Sequence, residues 1–238
     1  MKREILHRLL AAKAEKRPAA LVTELATGRQ ALVENGPATG DLALDAARLA
    51  AVEDALAEDK SGPLEEGLYF VQAFNPPLRL VVVGAVHIAQ ALVPMAALAG
   101  YDVTVVDPRR AFATDARFPN VTLSGEWPDD AMRALQPDRR TAVVTLTHDP
   151  KLDDPALAEA LRSHAFYIGA LGSTRTHAKR LERLREMGFG DQELAAINGP
   201  VGLSIGAKSP AEIAISILAQ MTQRLHQGTA KAPREAAA

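Results

Sequence analysis

Residues 78–107 read LRLVVVGAVHIAQALVPMAALAGYDVTVVD, and two apolar runs in this stretch flank a segment of helical length. The runs at residues 80–83 and 103–106 are continuous and rich in valine, which is typical of strands buried on both faces. Residues 88–99 have the length of a helix, in which Pro94 predicts a kink. Strand, helix and strand within about 30 residues form a βαβ unit with a right-handed crossover. We therefore predict an α/β fold, Rossmann-like and doubly wound, with a mainly parallel sheet.

The alternation continues towards the C-terminus. The tetrapeptide Ser209-Pro210-Ala211-Glu212 combines an N-cap residue, a proline at the first helical position and a glutamate three residues after the cap, so it predicts the start of a last helix. Residues 227–238 have no apolar pattern and are predicted to form a disordered tail. The other elements predicted are strands at residues 142–146 and 166–168, and helices after Asp154-Pro155 and after Ser173.

The chain before residue 78 has a weaker and different pattern. Asn75-Pro76-Pro77 interrupts it, and we place a domain boundary there. We predict a small N-terminal α+β region over residues 1–77, a Rossmann-like domain over residues 78–226 and the tail over residues 227–238. The elements predicted in the first region are helices over residues 1–16 and 41–59, and strands at residues 20–25, 30–34 and 68–74.

Composition excludes several classes of protein. Lysine and arginine total 27 against 29 aspartates and glutamates, which gives a net charge of −2 and no overall attraction to nucleic acid or to an anionic membrane. No apolar run reaches the roughly 20 residues that a spanning helix needs, and the N-terminus has no signal-peptide pattern, so we expect a cytoplasmic protein. The absence of cysteine excludes a disulfide framework, a cysteine-ligated metal cluster and a thiolate nucleophile in this chain.

The loop after the first strand lies where a dinucleotide fingerprint would be. Gly84 supplies the first glycine, but Val86 replaces the second, at which a side chain would crowd a pyrophosphate. Asp107 follows about 20 residues later, where an acid would bind a ribose diol, and Arg109 is next to it. Two interpretations remain at this point: a nucleotide site and a tight strand–helix turn.

A second loop passes from a strand through two glycines, Gly169 and Gly172, into the hydroxyl-rich helix start at Ser173. Free N–H groups, the helix dipole and the Ser173 and Thr176 hydroxyls predict an anion site, with Arg175 beside it. The alternative is a well-capped helix with a solvated basic face.

Two more loops end at the same predicted edge of the sheet. His148 and Asp149 follow a strand and are candidates for acid–base chemistry or ligand binding, against the alternative that Asp149-Pro150 is only a turn. A metal site formed by His87, His148 and Asp149 is a further alternative, although no two-histidine helical spacing supports it. Gly206 lies in a glycine-punctuated segment before the last helix, which is either a third anion-binding helix start or a bent strand.

These motifs, in this order, resemble the Rossmann domain of the xanthine dehydrogenase accessory protein (XdhC/CoxI) family over about residues 78–225. The motifs are Gly84-Ala85 with His87, residues 103–109 followed by Phe112-Ala113-Thr114 and Arg117-Phe118-Pro119, Thr147-His148-Asp149, the segment from Tyr167 to Thr176, and the segment from Gly202 to Ala214.

The resemblance implies a non-enzymatic maturation factor for molybdenum hydroxylases such as xanthine dehydrogenase. Members of the family bind molybdenum cofactor (molybdopterin) transiently, protect it and transfer it to the apoenzyme, often after a sulfurtransferase has sulfurated it. The implied partners are an apo-molybdenum hydroxylase, a sulfurtransferase, and a second XdhC-family chain or a second copy of this chain. The chain departs from the family at Val86, and it lacks the cysteine of the family's N-terminal domain, so no thiolate ligand to molybdenum comes from this chain.

We take the residues at the strand ends as candidates for cofactor binding. The helix starts at Ser173 and Ser209, with Arg175 nearby, suit the cofactor's phosphate, and Leu171 and Phe112 are candidate walls for the pterin ring. Two alternatives stand beside this function: an NAD(P)-binding oxidoreductase using Asp107 and Arg109, and an assembly scaffold with an unused crevice. The candidate set is Gly84, His87, Asp107, Arg109, His148, Asp149, Gly169, Gly172, Ser173, Arg175, Thr176 and Gly206.

Overall fold

The structure is a computed structural model that describes residues 2–34 and 37–226, apart from the side chain of Glu66. The chain forms two compact units, residues 1–76 and 77–238. The predicted tail over residues 227–238 lies outside the described residues.

The first unit contains an antiparallel sheet of five strands, in the order β3-β2-β1-β5-β4, and two helices. The alternation of side chains along β1 gives the sheet two apolar faces: Ala20 and Val22 pack with Val52 of α2, while Leu21 packs with Ile5 and Leu9 of α1. The elements are α1 (Arg3–Ala14), β1 (Ala19–Glu24), β2 (Gln30–Val33), β3 (Thr39–Gly40), α2 (Ala46–Ala57), β4 (Gly62–Leu64), a 3₁₀ turn (Glu65–Gly67) and β5 (Tyr69–Phe74).

The second unit alternates strands and helices, as residues 78–107 predict. Within the described residues no helix is long and apolar enough to cross a membrane. The elements are β6 (Leu78–Val83), α3 (His87–Leu98), β7 (Tyr101–Val106), β8 (Thr122–Ser124), α4 (Pro128–Leu135), β9 (Thr141–Thr145), α5 (Pro150–Arg162), β10 (Tyr167–Ala170), α6 (Thr174–Glu186), α7 (Asp191–Leu194), β11 (Ile197–Asn198) and α8 (Pro210–His226).

The sheet of the second unit is parallel throughout its described strands, in the order β8-β7-β6-β9-β10-β11. Counted from the first strand of this unit, that is the 3-2-1-4-5-6 order of a Rossmann fold. Helices α3 and α8 cover one face, and α4, α5 and α6 cover the other. The predicted doubly wound fold is confirmed. The chain reverses direction across the sheet between β6 and β9, so their carboxyl ends flank the crevice in which this fold binds ligands.

Helix α5 begins earlier in the chain than the sequence predicted. We predicted a helix after Asp154-Pro155, but the helix begins at Pro150 and Pro155 lies inside it. Asp149 is the N-cap, since its carboxylate accepts the N–H of Lys151 at 3.0 Å, and Pro150 occupies the first helical position, where a missing N–H costs nothing. The predicted helix over residues 41–59, by contrast, is shorter than predicted, because Asp45 caps it and it runs from Ala46 to Ala57.

Candidate functional site

Three loops meet the crevice at the carboxyl ends of β6, β9 and β10. The first two pack tightly on each other: Gly84 has φ of +113°, and a Cβ added there would lie 2.6 Å from Cγ2 of Thr147. Glycine is therefore required at this position both by conformation and by space. The close approach brings the Gly84 loop and the Thr147-His148-Asp149 loop together, as the sequence predicts.

Asp107, at the end of β7, is fully buried and accepts four hydrogen bonds from the chain. Its Oδ2 accepts the backbone N–H of Ala85 and Nη2 of Arg109, both at 2.8 Å, and its Oδ1 accepts the backbone N–H and Nε of Arg109 at 3.0 and 2.9 Å. Burial raises the pKa of Asp107, but the Arg109 and Ala85 hydrogen bonds outweigh it, and the pKa lies below its usual value. Both carboxylate oxygens are thus engaged inside the protein, which argues against ribose recognition by Asp107.

Arg109, which pairs with Asp107, also contacts the loop that follows β7. Its guanidinium lies over the ring of Phe112, 4.8 Å from the centroid, and that of Arg117 lies 5.9 Å from the same centroid. Arg117 also donates to Oε1 of Gln90 on α3 at 3.0 Å. The ring of Phe112 therefore makes cation–π contacts with both Arg109 and Arg117.

The loop after β9 is held by Asp153 in the first turn of α5. Asp153 is buried, and it accepts the Thr147 hydroxyl at 2.6 Å and the backbone N–H of His148 at 3.1 Å. Burial raises the pKa of Asp153, against the opposing effects of Thr147 and Arg180. His148 has φ of +62°, an uncommon conformation for a residue with a side chain, and its imidazole is exposed. Asp149 acts as the N-cap of α5, with its Oδ1 accepting the backbone N–H of Lys151.

Helix α6 begins at the second predicted loop. The Ser173 hydroxyl accepts the backbone N–H of Thr176 at 3.1 Å, and the first turn contains no acidic residue. Gly172 precedes the cap with φ of +144°, and a Cβ there would lie 3.0 Å from Cγ2 of Thr176. The N-terminal end of α6 therefore has a cap but no carboxylate of its own.

Helix α8 begins differently. One carboxylate oxygen of Glu212, Oε2, accepts the backbone N–H groups of Lys208 at 2.7 Å and Ser209 at 2.8 Å. An internal carboxylate thus occupies the place that an external anion would take. Of the two helix starts that we predicted to suit a phosphate, the one at Ser173 is open and the one at Ser209 is filled by Glu212.

A cleft of about 220 Å³ lies between the loop after β9 and helix α6; we call it the α6 cleft. Its side chains include four cations and one carboxylate. Arg183 is compensated, because its Nε and Nη2 donate to the carboxylate of Asp154 at 2.5 and 3.0 Å. The lining residues are His148, Pro150, Asp153, Arg175, Thr176, Lys179, Arg180 and Arg183.

Arg180 is the unusual member of the cleft, because its side chain is only 2% exposed. Its Nη2 donates to the carbonyl oxygen of Leu171 at 2.7 Å and lies 3.7 Å from Oδ2 of Asp153. Its Nε and Nη1 are buried and have no hydrogen-bond partner among residues 2–34 and 37–226. Burial lowers the pKa of Arg180, although Asp153 and Asp154 oppose the shift.

A second cavity, of about 530 Å³, adjoins the same loop; we call it the glycine-loop cavity. Leu171, which we predicted as a pterin wall, lines it, and so does Gly206, which is exposed with φ of +78°. Phe112 is not among its lining residues, which are Leu171, Gly172, the residues from Pro200 to Ala207, Ile213 and Ser216.

Gly169 and His87 are among the candidates that line neither cavity. Gly169 is buried inside β10, where an added Cβ would lie 2.6 Å from Cγ2 of Val201 and 2.8 Å from the Tyr167 ring, so its role is close packing in the sheet. His87 begins α3 and is exposed. The described residues contain no group of three histidine, aspartate or glutamate side chains arranged to hold a metal ion, so the alternative metal site at His87, His148 and Asp149 has no support.

Sequence patterns did not reveal Asp153 or the special position of Arg180. One signal was present: Arg180 precedes the buried Leu184 by four residues, so it lies on the apolar face of α6, unlike Arg175 and Lys179. Asp153 carried no comparable signal, because we placed the start of α5 after Pro155.

The chain is similar to known proteins in both sequence and structure. Residues 80–221 match the XdhC Rossmann domain family. The structure is similar to the crystal structure of a xanthine dehydrogenase from Bacillus halodurans, with a TM-score of 0.72 and 26% identity, covering 98% of this chain and 67% of that one.

Curated bacterial proteins are also similar. The Molybdenum cofactor insertion chaperone PaoD of Escherichia coli strain K12 is 36% identical over 159 residues, which is 66% of this chain and 44% of that protein. A probable xanthine dehydrogenase subunit of Bacillus subtilis strain 168 is 34% identical over 155 residues, 65% of this chain and 45% of that protein. Protein YqeB of E. coli strain K12 is 34% identical over 174 residues, 71% of this chain and 31% of that protein. The chain spans less than half the length of these relatives.

Proposed function

The chain belongs to the XdhC Rossmann domain family, and on that premise we propose that it is an accessory protein that binds molybdenum cofactor and delivers it to an apo-molybdenum hydroxylase. The names of two relatives support this proposal: PaoD is a molybdenum cofactor insertion chaperone, and the B. subtilis relative is a probable xanthine dehydrogenase subunit. The cofactor is then the cargo of this chain.

The observation that carries the proposal is the pair of cavities at the β10–α6 loop. Molybdenum cofactor combines an anionic phosphate with a fused-ring pterin. The α6 cleft offers cationic side chains, and the adjoining glycine-loop cavity offers Leu171 and Ile213 as apolar walls. Its volume of about 530 Å³ lies within the range of about 300–1,000 Å³ that is typical of small-molecule sites. The cationic side chains therefore suit the phosphate of the cofactor, and the apolar walls suit its pterin ring.

The metal of the cargo requires another explanation. The chain contains no cysteine, so it supplies no thiolate to molybdenum. We propose that this chain holds the pterin and its phosphate, and that a second chain or the cofactor's own ligands hold the metal. A second XdhC-family chain, a second copy of this chain and a sulfurtransferase are the partners that this division of labour suggests.

The alternative function, an NAD(P)-dependent oxidoreductase, is less well supported by the geometry. Its ribose acid would be Asp107, whose two oxygens are engaged by Ala85 and Arg109. Val86 stands at the position where the fingerprint needs glycine for the pyrophosphate. Titration with NADH and NADPH, followed by fluorescence, tests this alternative, and we expect no saturable binding at millimolar cofactor.

Reconstitution tests the proposed function. The purified protein is mixed with molybdenum cofactor and then with an apo-molybdenum hydroxylase, and recovered hydroxylase activity is compared with a reaction lacking the protein. We expect faster or more complete activation with the protein and its capture by the apoenzyme. Activation that does not depend on the protein, with no capture of cofactor or apoenzyme, would refute the proposal. Capture of the apoenzyme without cofactor would favour the scaffold alternative instead.

A further inference from the structure

Arg180 presents hydrogen-bond donors that the described chain does not use. A guanidinium has five N–H donors, and in Arg180 only Nη2 has a close acceptor, the Leu171 carbonyl oxygen. Its Nε and Nη1 are buried and unpartnered within the described residues, while the side chain is 2% exposed and lines the α6 cleft. Buried polar atoms are paired in the great majority of cases, so two such atoms on one cation indicate an absent acceptor.

The start of α6 adds donors at the same cleft. The first backbone N–H groups of a helix, here those of Thr174 and Arg175, have no intrahelical acceptor, and the helix dipole favours negative charge near them. The first turn contains no acidic side chain. Thr176, whose hydroxyl is 2.9 Å from that of Ser173, lines the cleft as well. Helix α6 thus lacks the carboxylate that Glu212 supplies to α8.

Charge at the cleft favours an anion with more than one negative charge. Arg175 and Lys179 are cations at its edge, and Arg180 is a buried one, whereas Asp153 is the carboxylate among the lining side chains. Asp154 compensates Arg183. Three cationic side chains of the lining, Arg175, Lys179 and Arg180, therefore face one carboxylate, which favours the charge of a phosphoryl group over that of a single carboxylate.

We propose that the α6 cleft is a phosphoryl-binding site in which Arg175 and Lys179 at the edge and the buried guanidinium of Arg180 supply the positive charge. The inference rests on the proposed function in one respect, since it assigns the phosphoryl group to molybdenum cofactor. The phosphate of the cofactor would then bind in the α6 cleft, and the pterin ring would bind in the glycine-loop cavity.

Calorimetric titration with inorganic phosphate at low salt tests the site without the cofactor. We expect saturable binding of one phosphate by the wild-type protein. Arg180→Met should weaken binding at least tenfold, or about 1.4 kcal/mol. Arg185→Met is the matched control, because Arg185 lies on the same helix and pairs with Asp191 at 2.9 Å outside the cleft lining. It should change the affinity less than twofold. The absence of saturable binding, or equal affinity in the wild-type and Arg180→Met proteins, would overturn the proposal.

Arg180→Met leaves Asp153 buried without its cation, so this variant could lose phosphate binding by unfolding. A second variant therefore tests the site without changing a buried residue. The double variant Arg175→Gln/Lys179→Gln changes no buried position, so it should keep the wild-type circular dichroism spectrum and thermal midpoint. We expect it to bind phosphate at least tenfold more weakly. Wild-type phosphate affinity in this folded variant would contradict the charge argument.

Competition distinguishes this inference from the proposed function. Molybdenum cofactor should displace bound phosphate from the wild-type protein if the two occupy the same site. Cofactor that binds without displacing phosphate would overturn the assignment of its phosphate to the cleft and leave the proposed function intact. Phosphate binding that depends on Arg180, in a protein that neither binds nor transfers the cofactor, would support the cleft as a phosphoryl site and refute the proposed function.

Discussion

The position of Asp107 in the sequence suggests a ribose-binding acid, but its buried carboxylate is hydrogen-bonded within the protein. The spacing from Gly84 predicted an acid for ribose, but the carboxylate binds the Ala85 N–H and the Arg109 guanidinium instead. The loop after β6 is thereby fixed to the end of β7, since Ala85 and Asp107 belong to neighbouring strand ends. Spacing could locate the residue at the edge of the sheet, but it could not show which partner the carboxylate has.

Asp107→Asn should lower the free energy of unfolding by about 2 kcal/mol near neutral pH, because a buried, charge-assisted set of hydrogen bonds is weakened. Asp115→Asn, at an exposed position, is the control and should have little effect. Urea unfolding near pH 6 measures both, and equal stability of the Asp107→Asn and wild-type proteins would contradict a stabilising role for the pair.

The same pair predicts a pH dependence. The pKa of Asp107 is lowered in the folded state, so its stabilisation is present above the unfolded-state pKa of about 3.9 and is lost as pH falls through the folded pKa. The stability difference between wild type and Asp107→Asn should therefore shrink below about pH 4. A difference that stays constant from pH 6 to pH 3 would contradict this assignment.

Gly169 illustrates a glycine that packing requires. An added methyl group would lie 2.6 Å from Val201 and 2.8 Å from the Tyr167 ring, so Gly169→Ala should cost about 1–3 kcal/mol through overpacking. Gly125→Ala is the matched control, since a methyl group there meets no described atom within 4 Å. Thermal or urea unfolding distinguishes them, and similar stability of the two variants would refute the packing role.

Arginines on α6 show what a sequence can and cannot indicate about a site. The motif located a basic helix start after β10, and Arg175 and Lys179 lie at the cleft as helical spacing implies. Arg180 differs from them by burial, which depends on the Leu171 carbonyl oxygen and Asp153 from other segments. Its unpartnered N–H groups therefore became visible only in three dimensions.

Helix starts explain several of the differences between sequence and structure. The Ser209-Pro210 signal located α8 correctly. The equivalent Asp149-Pro150 signal marks the start of α5, although we considered it only as a turn or as part of a binding site. Pro155 misled the prediction because a proline inside a helix is usually a boundary. Strand β8, at three residues, is too short to show a periodic pattern of its own.

The start of α6 can be tested by changing its charge while keeping its cap. Aspartate caps helices about as well as serine, so Ser173→Asp should retain the stability of the protein. Its negative charge would lie in the helix cap, next to the lining residues Arg175 and Thr176, and should weaken phosphate binding at least tenfold. Calorimetry and unfolding together measure the two effects.

Ser209→Asp at the start of α8 is the control for that experiment. Glu212 already accepts the N–H groups of Lys208 and Ser209, and none of residues 208–212 lines the cleft, so phosphate affinity should not change. Equal phosphate affinity in the Ser173→Asp and Ser209→Asp proteins would exclude the start of α6 as part of the site.

The second unit has the strand order of a Rossmann fold, but its loops at the carboxyl ends of the strands differ from those of a dinucleotide site. The parallel pairing of β6 with β7 was predictable from residues 78–107, because two apolar runs there flank a segment of helical length. At the switch point, however, the first loop is closed by Asp107, and the open cationic position lies further along the sheet, at the start of α6. The phosphoryl site that we propose is therefore at the β10 loop and not at the β6 loop.

Gel filtration measures whether this chain holds molybdenum cofactor through the α6 cleft. The wild-type, Arg180→Met and Arg185→Met proteins are each mixed with molybdenum cofactor and passed through a gel-filtration column, and molybdenum and oxidised pterin are quantified in the protein peak. We predict that both co-elute with the wild-type and Arg185→Met proteins and are depleted at least tenfold in the Arg180→Met peak. A wild-type protein that elutes without pterin would show that this chain does not bind the cofactor.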